Sequence, residues 1–186
     1  MIKALEIECV KVICPRIYRD DRGFFSETYN KKALKEAGID VEFVQDNHSL
    51  SVQKGVIRGL HYQSPPFSQG KLVRVVQGTI FDVAVDIRHG SPSFGRHISR
   101  ILSAENWEQL WIPPGFAHGF CTLEANTEVV YKTTSFYAPQ CDHGIYWADK
   151  DLNIDWPVAN AQLSEKDKLH PPFSETPAHF TFTLSK

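Results

Sequence analysis

The sequence has no paired cysteines, no long apolar run and no excess of either charge, and each absence removes a class of function. Cys9, Cys14, Cys121 and Cys141 form no CxxC pair and no zinc-type spacing, so they read as reduced thiols that pack as small hydrophobes in a cytoplasmic protein. No apolar stretch approaches the ~20 residues that a membrane helix needs. The opening Met1-Ile2-Lys3-Ala4 lacks a basic region followed by an apolar one, and no secretory signal is expected. Lys and Arg number 20 against 22 Asp and Glu, which leaves no broad positive field to gather nucleic acid. A small anionic ligand is still compatible, because a few local cations suffice for it.

Helix signals are equally scarce. Residues 30–37 carry Lys31, Lys32, Leu34, Lys35 and Glu36 before Gly38, which reads as a short helix with a glycine stop. A turn is expected at Ser103, with Glu105 placed to assist its first amides. Most of the rest alternates as strand. In residues 71–88, Val73, Val75 and Gln77 share one face and Leu72, Arg74 and Val76 the other; after Gly78, Asp82, Ala84 and Asp86 alternate with Phe81, Val83, Val85 and Ile87. Asp82 and Asp86 read as structural. Residues 127–136 are β-branched and aromatic, hence another strand. Turn residues recur at Asp21-Arg22-Gly23, Pro65-Pro66, Gln77-Gly78, His89-Gly90-Ser91-Pro92 and Pro113-Pro114-Gly115. Many short strands between close turns point to an antiparallel sandwich or barrel. With no repeat or linker, 1–186 reads as one domain. The proline-marked tail from Pro171 reads as a surface-hugging extension or partner-contacting arm, and Trp107, Trp111, Trp147 and Trp156 as core or dimer contacts.

Two segments stand out. One runs Gly55-Val56-Ile57-Arg58-Gly59-Leu60-His61-Tyr62-Gln63 and continues to Lys71 and Gly78; the other is Ile112-Pro113-Pro114-Gly115-Phe116-Ala117-His118-Gly119-Phe120. Their glycine, proline and histidine spacing resembles the two motifs of the cupin superfamily, which implies an all-β, jelly-roll barrel (a double-stranded β-helix) with few short helices. In that superfamily two histidines, a carboxylate and a third histidine hold a metal. Here the matching positions are His61, Gln63, Lys71 and His118. A protonated lysine has no lone pair to give and repels a divalent cation, and a glutamine is a weak neutral ligand. No metal is therefore expected. A histidine, a lysine and Arg58 inside a barrel suit an oxyanion or a phosphate instead.

Nine segments in order carry a sharper resemblance, among them Asp21-Arg22-Gly23-Phe24-Phe25-Ser26-Glu27, Phe43-Val44-Gln45-Asp46-Asn47, Arg58 to Gln63, Gly70 to Val75, Val130-Tyr131-Lys132, Ile154-Asp155-Trp156-Pro157 and Leu163-Ser164-Glu165-Lys166-Asp167. Together they resemble the dTDP-4-dehydrorhamnose 3,5-epimerase family over nearly the whole chain. That resemblance implies a cofactor-free homodimer that inverts C3 and C5 of a dTDP-linked 4-keto-6-deoxyhexose. It puts the general base on His61, its carboxylate partner on Asp167 and the general acid on Tyr131. Tyr137 would stack near the thymidine, and Arg22, Glu27, Gln45, Asp46, Asn47, Arg58, Lys71, His118 and Lys166 would contact substrate. Asp142 stands where many members carry a glutamate, so a hydrogen bond to nucleotide or sugar there would be shorter or water-mediated.

The residue types fit that chemistry. Removing a C–H beside a ketone makes an enolate with its charge on the C4 oxygen. Histidine, with an unperturbed pKa of about 6.5, is a natural base, and a carboxylate on its other nitrogen fixes the tautomer. Lys71 is placed to stabilise the enolate, and a tyrosine can supply the proton on the opposite face. Arg22, Arg58 and Lys166 suit the diphosphate. Taken singly, His61 reads as a hydrogen-bonded core histidine, Lys71 as a solvated strand lysine, His118 as a turn brace, Tyr131 and Tyr137 as packing residues and Asp167 as part of an exposed charged turn. Their shared context favours the site. Three rivals share these residues: a single-position epimerase, a metal-dependent cupin, and a sugar-nucleotide binder without catalysis.

Overall fold

In the computed structural model of the chain, residues 1–183 are described. Two antiparallel sheets face each other. One holds six strands in the spatial order β1 (Ile2–Ala4), β2 (Lys11–Ile13), β11 (Gln109–Ile112), β7 (Lys71–Gln77), β13 (Thr127–Thr133) and β5 (Gln45–Ser51). The other holds five, in the order β10 (His97–Ser103), β8 (Thr79–Asp86), β12 (Phe116–Thr122), β6 (Ile57–Gln63) and β14 (Asp142–Gly144). A hairpin of β3 (Ile17–Asp20) and β4 (Gly23–Ser26) stands apart, and β15 (Phe180–Thr181) runs parallel to β9 (Arg88–His89). This is the all-β architecture that the resemblance to the cupin superfamily implied.

The alternation read from the sequence assigns the layers. Val73 and Val75 of β7 meet Ile80 and Ala84 of β8 in the core between the sheets, joined by Val10, Val12, Leu110, Phe116 and Phe120. The other face of β8, with Val83 and Val85, packs under Ile145, Leu152 and Trp156 of the C-terminal segment, while Leu72 and Trp111 pack against Leu34 of the short helix α1 (Lys31–Glu36). The central strands are thus covered on both faces, and every residue of β12 is buried. Gly78, at φ +78°, is where the chain leaves one sheet for the other, and a Cβ there would sit 2.4 Å from Thr127 Oγ1.

Helix α1 spans Lys31–Glu36, with Asn30 Oδ1 accepting from the Ala33 amide at 3.0 Å and Gly38 beyond its end. Two expectations need correction. Strand β13 stops at Thr133 rather than 136, because the Thr133 hydroxyl donates to Ser135 O and the Gly70 amide to Thr134 Oγ1, so residues 134–136 bend away from the ladder. The turn after Ser103 is braced by Asn106, not Glu105: Asn106 Oδ1 accepts from the amides of Ser103 and Glu108. Of the tryptophans, Trp111 and Trp156 are core residues, whereas Trp107 meets Phe24 edge-on at the surface hairpin. The tail lies along the barrel through Phe173 and Phe180; 184–186 fall outside the described residues. Among the described residues no helix is long and apolar enough to cross a membrane.

Candidate active site

A cavity of about 480 Å³ opens between the sheets, lined by Arg58, His61, Lys71, His118, Tyr131, Lys166 and Asp167 among others. His61 and His118 are direct partners in the β6–β12 ladder. Lys71 and Tyr131 come from the opposite sheet, where β7 and β13 pair. The β6–β12 register slips between His118 and Phe120, the local irregularity that re-aims side chains beside many sites. Gly59 makes it feasible. Its φ is +133° and a Cβ would lie 2.5 Å from Gly119 Cα, so the two backbones touch where His61 turns into the cavity.

His61 is backed by a carboxylate 106 positions away. Helix α2 (Glu165–Lys168) begins at Ser164, whose Oγ accepts from the Asp167 amide at 3.1 Å. That cap points Asp167 inward, and its Oδ1 lies 2.5 Å from His61 Nε2. The Asp167 side chain is 4% exposed and that of His61 32%. Burial pushes the Asp167 carboxyl up, but its hydrogen bond and charge interaction with His61 outweigh this and hold it below the usual range. With Nε2 occupied by the carboxylate, Nδ1 is the ring atom left to act on a ligand.

Lys71 is buried, and burial draws its ammonium down to about 8 even though Asp142 and Asp82 favour the charge. Its Nζ lies 3.4 Å from the His61 carbonyl oxygen. His118 is also buried, with Nε2 2.9 and 3.1 Å from the two oxygens of Asp82. Burial lowers the His118 pKa, Asp82 opposes this, and Lys71 and His61 lower it further, which keeps the ring neutral. Burial raises the Tyr131 pKa, against the opposing charge of Arg58, so the phenol keeps its proton until it has an acceptor.

At the cavity mouth Tyr137 is exposed and its hydroxyl donates to Asp142 Oδ2 at 3.0 Å; the same oxygen is 2.5 Å from Lys166 Nζ. Gln45 Oε1 accepts from the Tyr137 amide at 3.0 Å, and its Nε2 donates to Asn47 Oδ1. Arg58 donates to Ser51 Oγ and Leu50 O. Asp46 pairs with Lys132, and with Asn47 it lines a second cavity of about 280 Å³ that shares Tyr131. Two residues lie elsewhere: Arg22 is exposed on the β3–β4 hairpin against Asp20, and Glu27 accepts from Asn30 Nδ2. Neither lines the main cavity of the single chain.

The residues at the superfamily's metal positions do not fit a divalent cation. Besides the lysine in place of a carboxylate, Gln63 is spent on the backbone: its Nε2 donates to Phe67 O and Phe136 O, and its Oε1 accepts from the Ala138 amide. Sequence reasoning missed two contributors. Asp82, read as structural, orients His118; its signal was the alternation that turns it to the same face as Ala84. His170 contacts Asp167, and the signal was its i,i+3 spacing at the end of a short helix.

The sequence model described as dTDP-4-dehydrorhamnose 3,5-epimerase matches residues 4–175. The chain belongs to this family. A dTDP-4-dehydrorhamnose 3,5-epimerase of Shigella flexneri is 58% identical over 163 residues, covering 87% of this chain and 90% of its own. The crystal structure of dTDP-6-deoxy-D-glucose-3,5-epimerase from Legionella pneumophila, in complex with dTDP-4-keto-L-rhamnose, superposes with a TM-score of 0.94 at 48% identity, covering 98% of both chains. A 3'-monoepimerase from Streptomyces bikiniensis in complex with dTDP-quinovose superposes at 0.86 with 34% identity, over 92% of this chain and 87% of that one. The 3,5-epimerase family thus accounts for the whole barrel and for both segments that line the cavity.

Proposed function

We propose that the chain epimerises C3 and C5 of dTDP-4-dehydro-6-deoxy-D-glucose, giving dTDP-4-dehydro-L-rhamnose. The observation that carries this reading is one cavity in which a carboxylate-backed imidazole, a buried ammonium and a proton-bearing phenol come from facing sheets. His61 Nδ1 takes the proton from the carbon beside the ketone, and Asp167 stabilises the imidazolium that forms. The electron pair left behind moves onto the C4 oxygen, where the Lys71 ammonium offsets the charge. Tyr131 O–H returns a proton to the other face of the same carbon, inverting it. Solvent then reprotonates the phenolate and discharges the imidazolium before the second carbon reacts.

Arg58 and Lys166 are the cations for the diphosphate, and Tyr137 offers an exposed ring to the thymine, with Asp142 holding its hydroxyl. Asn47, Gln45 and Asp46 extend the binding surface along the β5 edge. Arg22 and Glu27 sit away from the cavity of their own chain. In a homodimer the exposed β3–β4 hairpin, with Phe24 and Phe25 at the surface, is free to bring them to a neighbour's cavity. The protein is read as such a homodimer, one domain per chain, in the cytoplasm. Light scattering at micromolar concentration checks the dimer, and a monomeric mass refutes it.

The test of the base and acid is turnover of His61→Ala and Tyr131→Phe. Both are expected to lose roughly 10²–10⁴-fold in kcat, and wild-type rates in both end the assignment. A single-position epimerase is the second reading, favoured by the likeness to the 3'-monoepimerase. The number of carbons that exchange with solvent separates the two.

A further inference from the structure

Asp167 does not serve His61 alone. His170 follows it by three residues, the spacing that puts two side chains on one side of a helical turn, and its Nε2 lies 3.2 Å from Asp167 Oδ1. That is the same oxygen His61 Nε2 meets at 2.5 Å. The two imidazoles are set edge to face, with centroids 5.4 Å apart and planes at 79°. The His170 side chain is only 9% exposed. Its buried Nε2 has no well-aligned hydrogen bond among the described residues, and the Asp167 carboxylate is an acceptor within its reach. The fold reserves room for this ring. Gly144 stands opposite His61 in the β14–β6 register, and a Cβ there would fall 2.2 Å from His170 Nε2 and within 2.4 Å of two ring carbons.

We propose that His170 is a positioning residue for the epimerisation: a second imidazole on Asp167 that fixes the direction of the carboxylate and limits how firmly it holds His61 in the protonated form. This rests on the reading of His61 as the base. The groups that face His170 are His61 from β6, Lys166 and Asp167 from α2, and Asp142, His143 and Glu175 around an outer cavity of about 490 Å³ that also holds the ring of Tyr62. Burial disfavours the His170 cation, and His61 and Lys166 add to this against Asp167. The ring is neutral at neutral pH, and its Nε2, 3.2 Å from the carboxylate, donates an N–H to it once a tilt of the ring aligns the two. A carboxylate approached by two N–H groups shares its negative charge between them. Remove one, and the whole charge bears on His61, which then stays protonated to higher pH and is a poorer base below it.

The experiment is kcat and KM from pH 5 to 9 for His170→Leu, His170→Gln, Gly144→Ala and His61→Ala beside the wild type, with a thermal midpoint for each. His170→Leu is expected to lose about tenfold in kcat with KM changed less than about twofold. Its acid limb should move up by roughly half a pH unit. His170→Gln, which retains an N–H donor, recovers most of that loss and most of the shift. Gly144→Ala, whose methyl group displaces the ring, behaves like His170→Leu, and it carries the test if the leucine variant does not fold. An acid limb unmoved in both His170→Leu and Gly144→Ala overturns the proposal, as does equal loss in the leucine and glutamine variants. Wild-type turnover in His61→Ala sinks the base itself, whereas an inactive His61→Ala beside an unaltered His170→Leu sinks only the role of His170.

Discussion

Replacing Lys71 by methionine should make the protein more stable and nearly inactive. The lysine is buried between the sheets, and desolvation brings its pKa from 10.5 to about 8. That gap corresponds to about 3 kcal/mol by which folding disfavours the charged form. The cost is fully present below about pH 8, where folded and unfolded chains are both protonated. It shrinks as pH rises, because the folded state sheds the proton first, and it is gone by about pH 10.5. Methionine keeps a similar unbranched length and removes the charge, losing one weak contact to the His61 carbonyl at 3.4 Å. Urea unfolding of Lys71→Met should therefore give roughly 1–3 kcal/mol of added stability at pH 7, converging on the wild type near pH 10.5. Its kcat should fall about 10²–10³-fold, the usual worth of one donor at a developing oxyanion. In the wild type, activity should fall as pH rises through about 8, as the ammonium is lost. A methionine variant that is less stable at pH 7, or whose advantage is the same at pH 7 and 10, refutes the argument.

Two further variants probe the frame of the site. Asp82→Ala leaves the buried His118 Nε2 without its acceptor and should cost about 1–3 kcal/mol in thermal or chemical unfolding; an unchanged midpoint contradicts the pairing. Gly59→Ala forces a methyl group to within 2.5 Å of Gly119 Cα at a positive φ. It should destabilise by roughly 2–4 kcal/mol, and a soluble variant of wild-type stability would show that the strands can separate there.

Much of this was legible in the residues because alternation is a local property. The two-faced pattern of residues 71–88 holds on both sides of Gly78: Val73, Val75 and Ala84 leave water together between the sheets, and Val83 and Val85 pack on the other face. The replacement of metal ligands was also visible, because a lysine at a carboxylate position changes the chemistry whatever surrounds it. Long-range pairing was not legible. Nothing local to Ser164-Glu165-Lys166-Asp167 marks it as anything but an exposed turn; it becomes buried only because helix α2 docks on β6. Asp82 and His118 meet for a similar reason, lying near one another on the adjacent strands β8 and β12. Strand β13 ends early because side-chain hydroxyls at Thr133 and Thr134 capture backbone partners, a competition that strand propensity does not register. Arg22 and Glu27 mark a different limit: their positions matched a motif, but one chain does not bring them to the cavity.

The most direct measurement is proton NMR of the sugar during turnover in deuterium oxide. A carbon acid opened by His61 and closed by Tyr131 acquires solvent deuterium at each inverted centre. The account predicts a product labelled at both C3 and C5, with the label abolished in His61→Ala. A product formed at the wild-type rate with its original hydrogens at both carbons would contradict it.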